Sequence, residues 1–222
     1  MDAAKHSPTG HRRLRAGGAG GTRGGVCNRY RMTAKQAELA RRFGIEPPYP
    51  DDVTVPPPEL FPKRHGWVVR ETGGRRILDI MAWGVPLSVP GARGQPVEKQ
   101  VTNVRNLASP FWKSTLARPE FRCLVPVSDF CEWEGAAGAK QARWFSIPSR
   151  PIFAFAGLWR PTAAGPRFAF LTCAANELVR PVHPKAMPVI LDDDDEGRWL
   201  HGDYEAACGL AAPYPSQLMR IS

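Results

Sequence analysis

The chain has 222 residues and a formal net charge of +9, with 43% hydrophobic and 23% charged residues. That is long enough for one domain with a real core, and no stretch approaches the run of about 18 apolar residues that a membrane span needs. The five cysteines, Cys27, Cys123, Cys131, Cys173 and Cys208, are odd in number and never spaced C-x-x-C, which argues against a zinc site and against a disulfide framework.

Residues 1–25 carry Lys5, Arg12, Arg13, Arg15 and Arg23 against Asp2 alone, so roughly half of the net charge lies in this tail. The tail has no apolar periodicity, no apolar signal-peptide core, and Gly pairs that would break an amphipathic helix. Residues 1–26 are therefore expected to be a disordered Gly/Arg-rich extension. The remainder is still basic enough to favour a polyanion partner. Unpaired thiols suit a reducing cytoplasm. No metal, cofactor or membrane partner is expected, and a monomer is.

From Val26 the pattern changes. Thr33, followed by Glu38, Leu39, Ala40 and Phe43 and closed by Gly44, predicts an N-capped helix. Pro47 to Pro62 predicts an extended loop. Trp67–Val69 and Ile77–Met81, flanking Gly73-Gly74, predict a β-hairpin. Cys123–Val127, Ile152–Ala156 and Phe168–Leu171 are short apolar runs between turns, read as strands. Phe111–Ala117 and Asn176–Arg180 read as short helices. Asp192–Trp199 opens another helix, its acidic run a solvated start favoured by the macrodipole. Residues 201–222 carry no assignable motif. With 23 Pro and 21 Gly, the elements must be short and joined by turns. Together they predict one α+β domain over residues 27–222: a strand-rich, barrel-like mixed sheet with a few short flanking helices.

Four segments set reactive or charged residues in strand context. They are Val26–Tyr30, Thr102–Asn106, Asp129–Glu134 and Val182–Pro188. Singly, each has an ordinary structural explanation. Their order and wording resemble the SOS-response-associated peptidase (SRAP) family of abasic-site-processing proteins. The matches are Cys27 with Arg29, Trp83-Gly84, Asn103 with Arg105, and Arg122–Pro126 leading to Phe130-Cys131-Glu132-Trp133. They continue with Phe155–Trp159, Thr172–Asn176, and His183 followed by Met187–Leu191. The resemblance runs in order over about residues 27 to 200.

The resemblance implies a function. An N-terminal cysteine offers an α-amine and a thiol on adjacent carbons. The amine, with a reference pKa of about 8, can form a Schiff base with the aldehyde of an abasic site in single-stranded DNA, and the thiol can close a thiazolidine ring. Cys27 would be that residue. Asn103 would orient the amine or sugar. Glu132 would move protons, and His183 would be the second proton carrier. Arg29 and Arg105 would hold flanking phosphates, and Trp83 would offer a stacking face for an unpaired base. The product would be a crosslink that protects the lesion in the DNA damage response.

The sequence departs from the family pattern at several points. Asn28 replaces a Gly that follows the cysteine, and Asn tolerates positive φ better than other non-Gly residues. Val104 replaces an Ala. The histidine motif is one residue longer, so Lys185 takes the place of an arginine only loosely. Cys131, beside Glu132, is expected to be inert. The main departure is that 26 residues precede Cys27. An amide nitrogen forms no Schiff base. Initiation at a GTG codon read here as Val26, or cleavage before Cys27, would free the amine. Two other functions fit parts of the pattern. One is a cysteine peptidase using Cys27 and His183, and the other a non-catalytic single-strand-binding module.

Overall fold

The computed structural model describes residues 27–47, 49, 55–92, 94–136 and 138–222. The Gly/Arg-rich extension and part of the Pro47–Pro62 loop lie outside the described residues. In chain order the first half contains β1 (Tyr30–Arg31), α1 (Gln36–Phe43), β2 (Glu59–Leu60), β3 (His65–Thr72), β4 (Arg75–Trp83), β5 (Val85–Pro90), β6 (Pro96–Val101), β7 (Asn103–Val104) and α2 (Pro110–Leu116). The second half contains β8 (Arg122–Val127), β9 (Asp129–Glu134), β10 (Gln141–Ser146), β11 (Phe153–Arg160), β12 (Arg167–Cys173), β13 (Met187–Pro188), β14 (Ile190–Leu191), α3 (Asp195–His201), α4 (Tyr204–Gly209) and β15 (Arg220–Ile221).

The strand-rich α+β barrel expected from the sequence closes through one unusual pairing. β3 pairs antiparallel with β4 and β8, and β8 with β11. β11 then pairs with β12, and β12 returns to β4 in parallel, completing a five-strand ring. Its central strands read as unbroken apolar runs because both of their faces are covered: all six residues of β8 are buried. A second sheet, in the order β15-β10-β9-β1-β2, packs beside the ring. The chain crosses between the sheets at Ser128, which separates β8 from β9 and whose N–H donates to Arg31 O at 2.7 Å. Tyr30, Trp83, Phe155, Phe168 and Phe170 fill the interior with ring contacts. Burying each such side chain contributes about 1.5–3 kcal/mol.

The Gly73-Gly74 hairpin forms as the dipeptide predicts, with φ of 57° and 72° that only a primed turn requires. Helix α1 ends at Gly44 as expected but starts later than its Thr33 signal. The Thr33 N–H donates to Ser128 Oγ, so the residue anchors the sheet crossing rather than the helix. Asn176–Arg180 is a hydrogen-bonded turn, not a helix. Asn176 Oδ1 accepts from Val179 N–H, and Pro181 and Pro184 bar propagation. The helix expected from Asp192 begins at Asp195, because Asp192 and Asp193 are drawn to Arg150.

The acidic run is not wholly solvated either. Glu196 is 2% exposed and bridges Arg42 at 2.8 Å and Arg76 at 3.1 Å, tying α3 to α1 and β4. Strands β5 and β6, interrupted by prolines, carry no clear strand pattern in the sequence. They form a separate two-stranded hairpin that no third strand joins among the described residues, so its prolines interrupt no larger ladder there. This hairpin springs from Gly84 and returns just before Asn103.

Candidate active site

Cys27 enters the domain just ahead of β1 and is fully buried. Its φ is 33°, on the left-handed side that non-glycine residues rarely occupy. Pairing of β1 with β9, Tyr30 opposite Phe130, runs the segment before β1 alongside Glu132. Cys131 N–H donates to Arg29 O at 2.9 Å and extends that ladder. The result is direct contact: the Cys27 backbone N–H donates to Glu132 Oε1 at 2.8 Å. From the other side, Asn103 Nδ2 donates to the Cys27 carbonyl at 3.4 Å and to Thr102 Oγ1 at 3.0 Å. Asn103 is brought there by β7, which lies parallel to β12 with Asn103 opposite Phe170.

The electrostatics of this centre follow from its dryness. Glu132 is 2% exposed, and burial pushes its carboxyl up to about 8, against the opposing pull of the Cys27 N–H. A carboxyl with that value can hold and release a proton near neutral pH. Burial, then the neighbouring Glu132 charge, pushes the Cys27 thiol well above the ordinary range. The thiol lies 3.6 Å from Arg29 O. Cys131 is buried too, its thiol pushed up to about 11 by desolvation, in keeping with an inert strand residue.

His183 sits on the loop between β12 and β13. Its Nδ1 is 3.0 Å from Ala186 O, a contact that needs a proton on Nδ1 and leaves Nε2 as the acceptor. Among the described residues, His183 bonds to neither Cys27 nor Glu132. Arg105, exposed at the end of β7, donates from Nη1 to Lys185 O at 2.5 Å and fastens this loop beside the Asn103 strand. Lys185 is exposed.

Arg29 is more constrained than its expected role suggests. Its Nε donates to Glu59 Oε1 at 2.6 Å, and its guanidinium lies over the Phe61, Trp133 and Trp144 rings at 5.4, 5.5 and 4.9 Å. Burial would raise the Glu59 carboxyl, but the hydrogen bonds from Arg29 and Arg31 outweigh it and hold it below the usual range. Glu59 carries no signal in the sequence, and Asn28, noted there only as a replacement for Gly, accepts through Oδ1 from Trp133 Nε1 at 3.1 Å. Both matter only through cross-strand neighbours.

Trp83 is a correction. It is 0% exposed, stacks on Phe168 and Phe170, and donates from Nε1 to Thr102 O at 3.1 Å. Its ring faces are taken by the barrel core, so it offers no surface to an unpaired base.

Fold and site together define a closed β-barrel domain in which a buried cysteine is held between a carboxyl group and an amide. The family model described as SOS response associated peptidase (SRAP) matches residues 26–222, and the chain belongs to that family. It is 26% identical over 211 residues to the abasic site processing protein YoqW of Bacillus subtilis (strain 168), covering 87% of this chain and 90% of YoqW. The YoqW of Bacillus phage SPbeta matches to the same extent. Two crystal structures share the fold. One, from Bordetella bronchiseptica, has a TM-score of 0.72 at 23% identity and covers 88% of this chain and 98% of its own. The other, from Bacteroides thetaiotaomicron, has a TM-score of 0.72 at 18% identity and covers 88% and 90%.

Proposed function

We propose that this protein acts on abasic sites in DNA, and that its functional form begins at Cys27 and captures the lesion in single-stranded DNA as a thiazolidine. The observation that carries the reading is the 2.8 Å contact between the Cys27 nitrogen and Glu132, a buried carboxyl with a value of about 8. The nitrogen that would attack the aldehyde is already paired with a group able to exchange protons at neutral pH. The backbone supports the same start. The φ of 33° exists only while a residue precedes Cys27, and a chain beginning there has no such constraint. The family match starting at residue 26, and the naming of YoqW as an abasic site processing protein, support it further.

The free amine adds to the sugar aldehyde to give a carbinolamine. Glu132 protonates the departing hydroxyl, which leaves as water, and an imine forms. The thiol sulfur then bonds to the imine carbon, its proton passes to the nitrogen, and the five-membered ring closes. A thiol that stays neutral until the imine has formed suits this order. Asn103 would hold the Cys27 carbonyl and so aim the amine. His183 Nε2 would take or return the proton of the sugar ring oxygen as it opens. Arg105 and Lys185 are exposed to hold phosphates; Arg29 would do so from its place on Glu59. The protein would work as a monomer on cytoplasmic, nucleoid DNA, and it needs no metal or cofactor for these steps.

A Cys–His peptidase fits less well. His183 Nδ1 is engaged by Ala186 O, and the Cys27 thiol is pushed away from the thiolate form that such an enzyme needs. The deciding experiment is a denaturing gel with an abasic single-stranded oligonucleotide. Protein whose intact mass shows Cys27 as its first residue should give a shifted, heat-stable band. Cys27→Ala, and protein retaining residues 1–26, should give none. Absence of the band with Cys27 at the N-terminus would refute the reading.

A further inference from the structure

Phe61-Pro62-Lys63-Arg64 forms a tight turn, closed by a 3.1 Å bond from Arg64 N–H to Phe61 O. Pro at its second position and a positive φ at its third are the pattern of a type II turn, whose third position ordinarily demands Gly or Asn. Here that position is Lys63, with a φ of 72°. A lysine held in left-handed backbone carries strain that glycine would not. Lys63, Arg64 and the following His65 are all exposed, and none makes an ion pair among the described residues.

The turn is also rigidly docked. Lys63 N–H donates to Trp83 O at 2.7 Å, and Trp83 N–H donates to Arg64 O at 2.9 Å. These bonds fix it to the root of the β5–β6 hairpin. On its other side β2 pairs with β1, Tyr30 opposite Leu60, which sets Phe61 against the Arg29 guanidinium two residues from Cys27. A continuous path therefore leads from Cys27 through Arg29 and Phe61 to three exposed basic residues. Arg105 and Lys185 lie on a different strand and loop of the site.

The geometry points to the Lys63–His65 turn as a second phosphate-binding segment. It holds the backbone of single-stranded DNA beyond the captured nucleotide, apart from the Arg105–Lys185 side. This inference rests on the proposed action on DNA. Lys63 and Arg64 supply the charge, and the double hydrogen bond to Trp83 supplies the fixed position that justifies a strained lysine.

The test is binding of an undamaged single-stranded oligonucleotide to the full chain across a salt series. Lys63→Gln with Arg64→Gln should weaken binding several-fold at low salt. It should also flatten the slope of log affinity against log salt by about 1.4, the value for two lost phosphate contacts on a single strand. A paired change at Arg41 and Lys113, exposed basic residues on α1 and α2, should leave the slope near that of the parent. Lys63→Gly separates charge from strain: it should raise the Tm by about 2–4 °C while weakening binding. An unchanged slope in the double variant, or a slope equally flattened by the Arg41/Lys113 change, overturns the inference. Loss of crosslinking in the parent beginning at Cys27 would count against the covalent reading alone, whereas failure of the parent to bind single strands at all would overturn both.

Discussion

The backbone nitrogen of Cys27 donates to Glu132 Oε1 at 2.8 Å, across 105 residues of sequence. One contact thus joins the group that would react to the group that would manage its proton. Both are buried, so the pair is kept in a dry setting where a carboxyl retains its proton at neutral pH.

Glu132 should cost stability for its chemistry. Its folded value of about 8 lies above the ordinary 4.5, so folding binds a proton that the unfolded chain releases. The penalty is absent below the unfolded value, grows as pH rises from 4.5, and is complete above about 8. Glu132→Gln should therefore be more stable than the parent by an amount that increases with pH to a limit on the order of 5 kcal/mol. Denaturant melts at acid and alkaline pH will measure it; a difference that shrinks as pH rises would contradict the assignment.

The same substitution should slow crosslinking by about 10²–10⁴-fold. In protein beginning at Cys27, the rate should fall as pH rises through the raised value at which Glu132 loses its proton. The Gln variant should lack that falling limb. Single-turnover gels over a pH series distinguish the two profiles.

Asn103→Ala removes the donor to the Cys27 carbonyl and should lower the crosslinking rate about tenfold or more, with little effect on DNA affinity. Asn103→Asp, which presents an acceptor to a carbonyl, should do no better. Equal rates in all three proteins would remove Asn103 from the site.

Trp83 should behave as core. Trp83→Ala should destabilise by about 3–5 kcal/mol, whereas Trp83→Phe should keep an aromatic packed on Phe168 and Phe170 at a smaller cost. Folded Trp83→Phe protein should bind single-stranded DNA like the parent. A specific loss of DNA affinity in that variant would restore the stacking role.

Glu196 joins α1, β4 and α3 through Arg42 and Arg76. Glu196→Ala leaves two arginines facing a buried gap and should cost about 3–5 kcal/mol. Thermal melts of the two proteins should show the loss, and an unchanged Tm would remove Glu196 from the α1–β4–α3 junction.

Much of this was open to reading in the sequence. The Gly73-Gly74 turn, the apolar runs of β8, β11 and β12, and the one-domain strand-rich plan follow from local pattern, because turn residues and unbroken apolar segments act within a few neighbours. The order of the motifs also singled out Cys27, Asn103, Glu132 and His183; the structure brings the first three into contact, while His183 bonds to Ala186 O on its own loop. The β5–β6 hairpin was hidden by its prolines, and the Asn176 turn looked helical until Pro181 and Pro184 limited it.

Residue type and order determined which side chains are candidates for chemistry, and that the proposed role of Cys27 requires a free amine. Tertiary structure alone decided what each of them faces. β1 must pair with β9 before Cys27 meets Glu132, and the ring must close before Trp83 is sealed among Phe168 and Phe170. Burial then sets the proton affinity of Glu132, and burial belongs to packed neighbours that are distant in sequence.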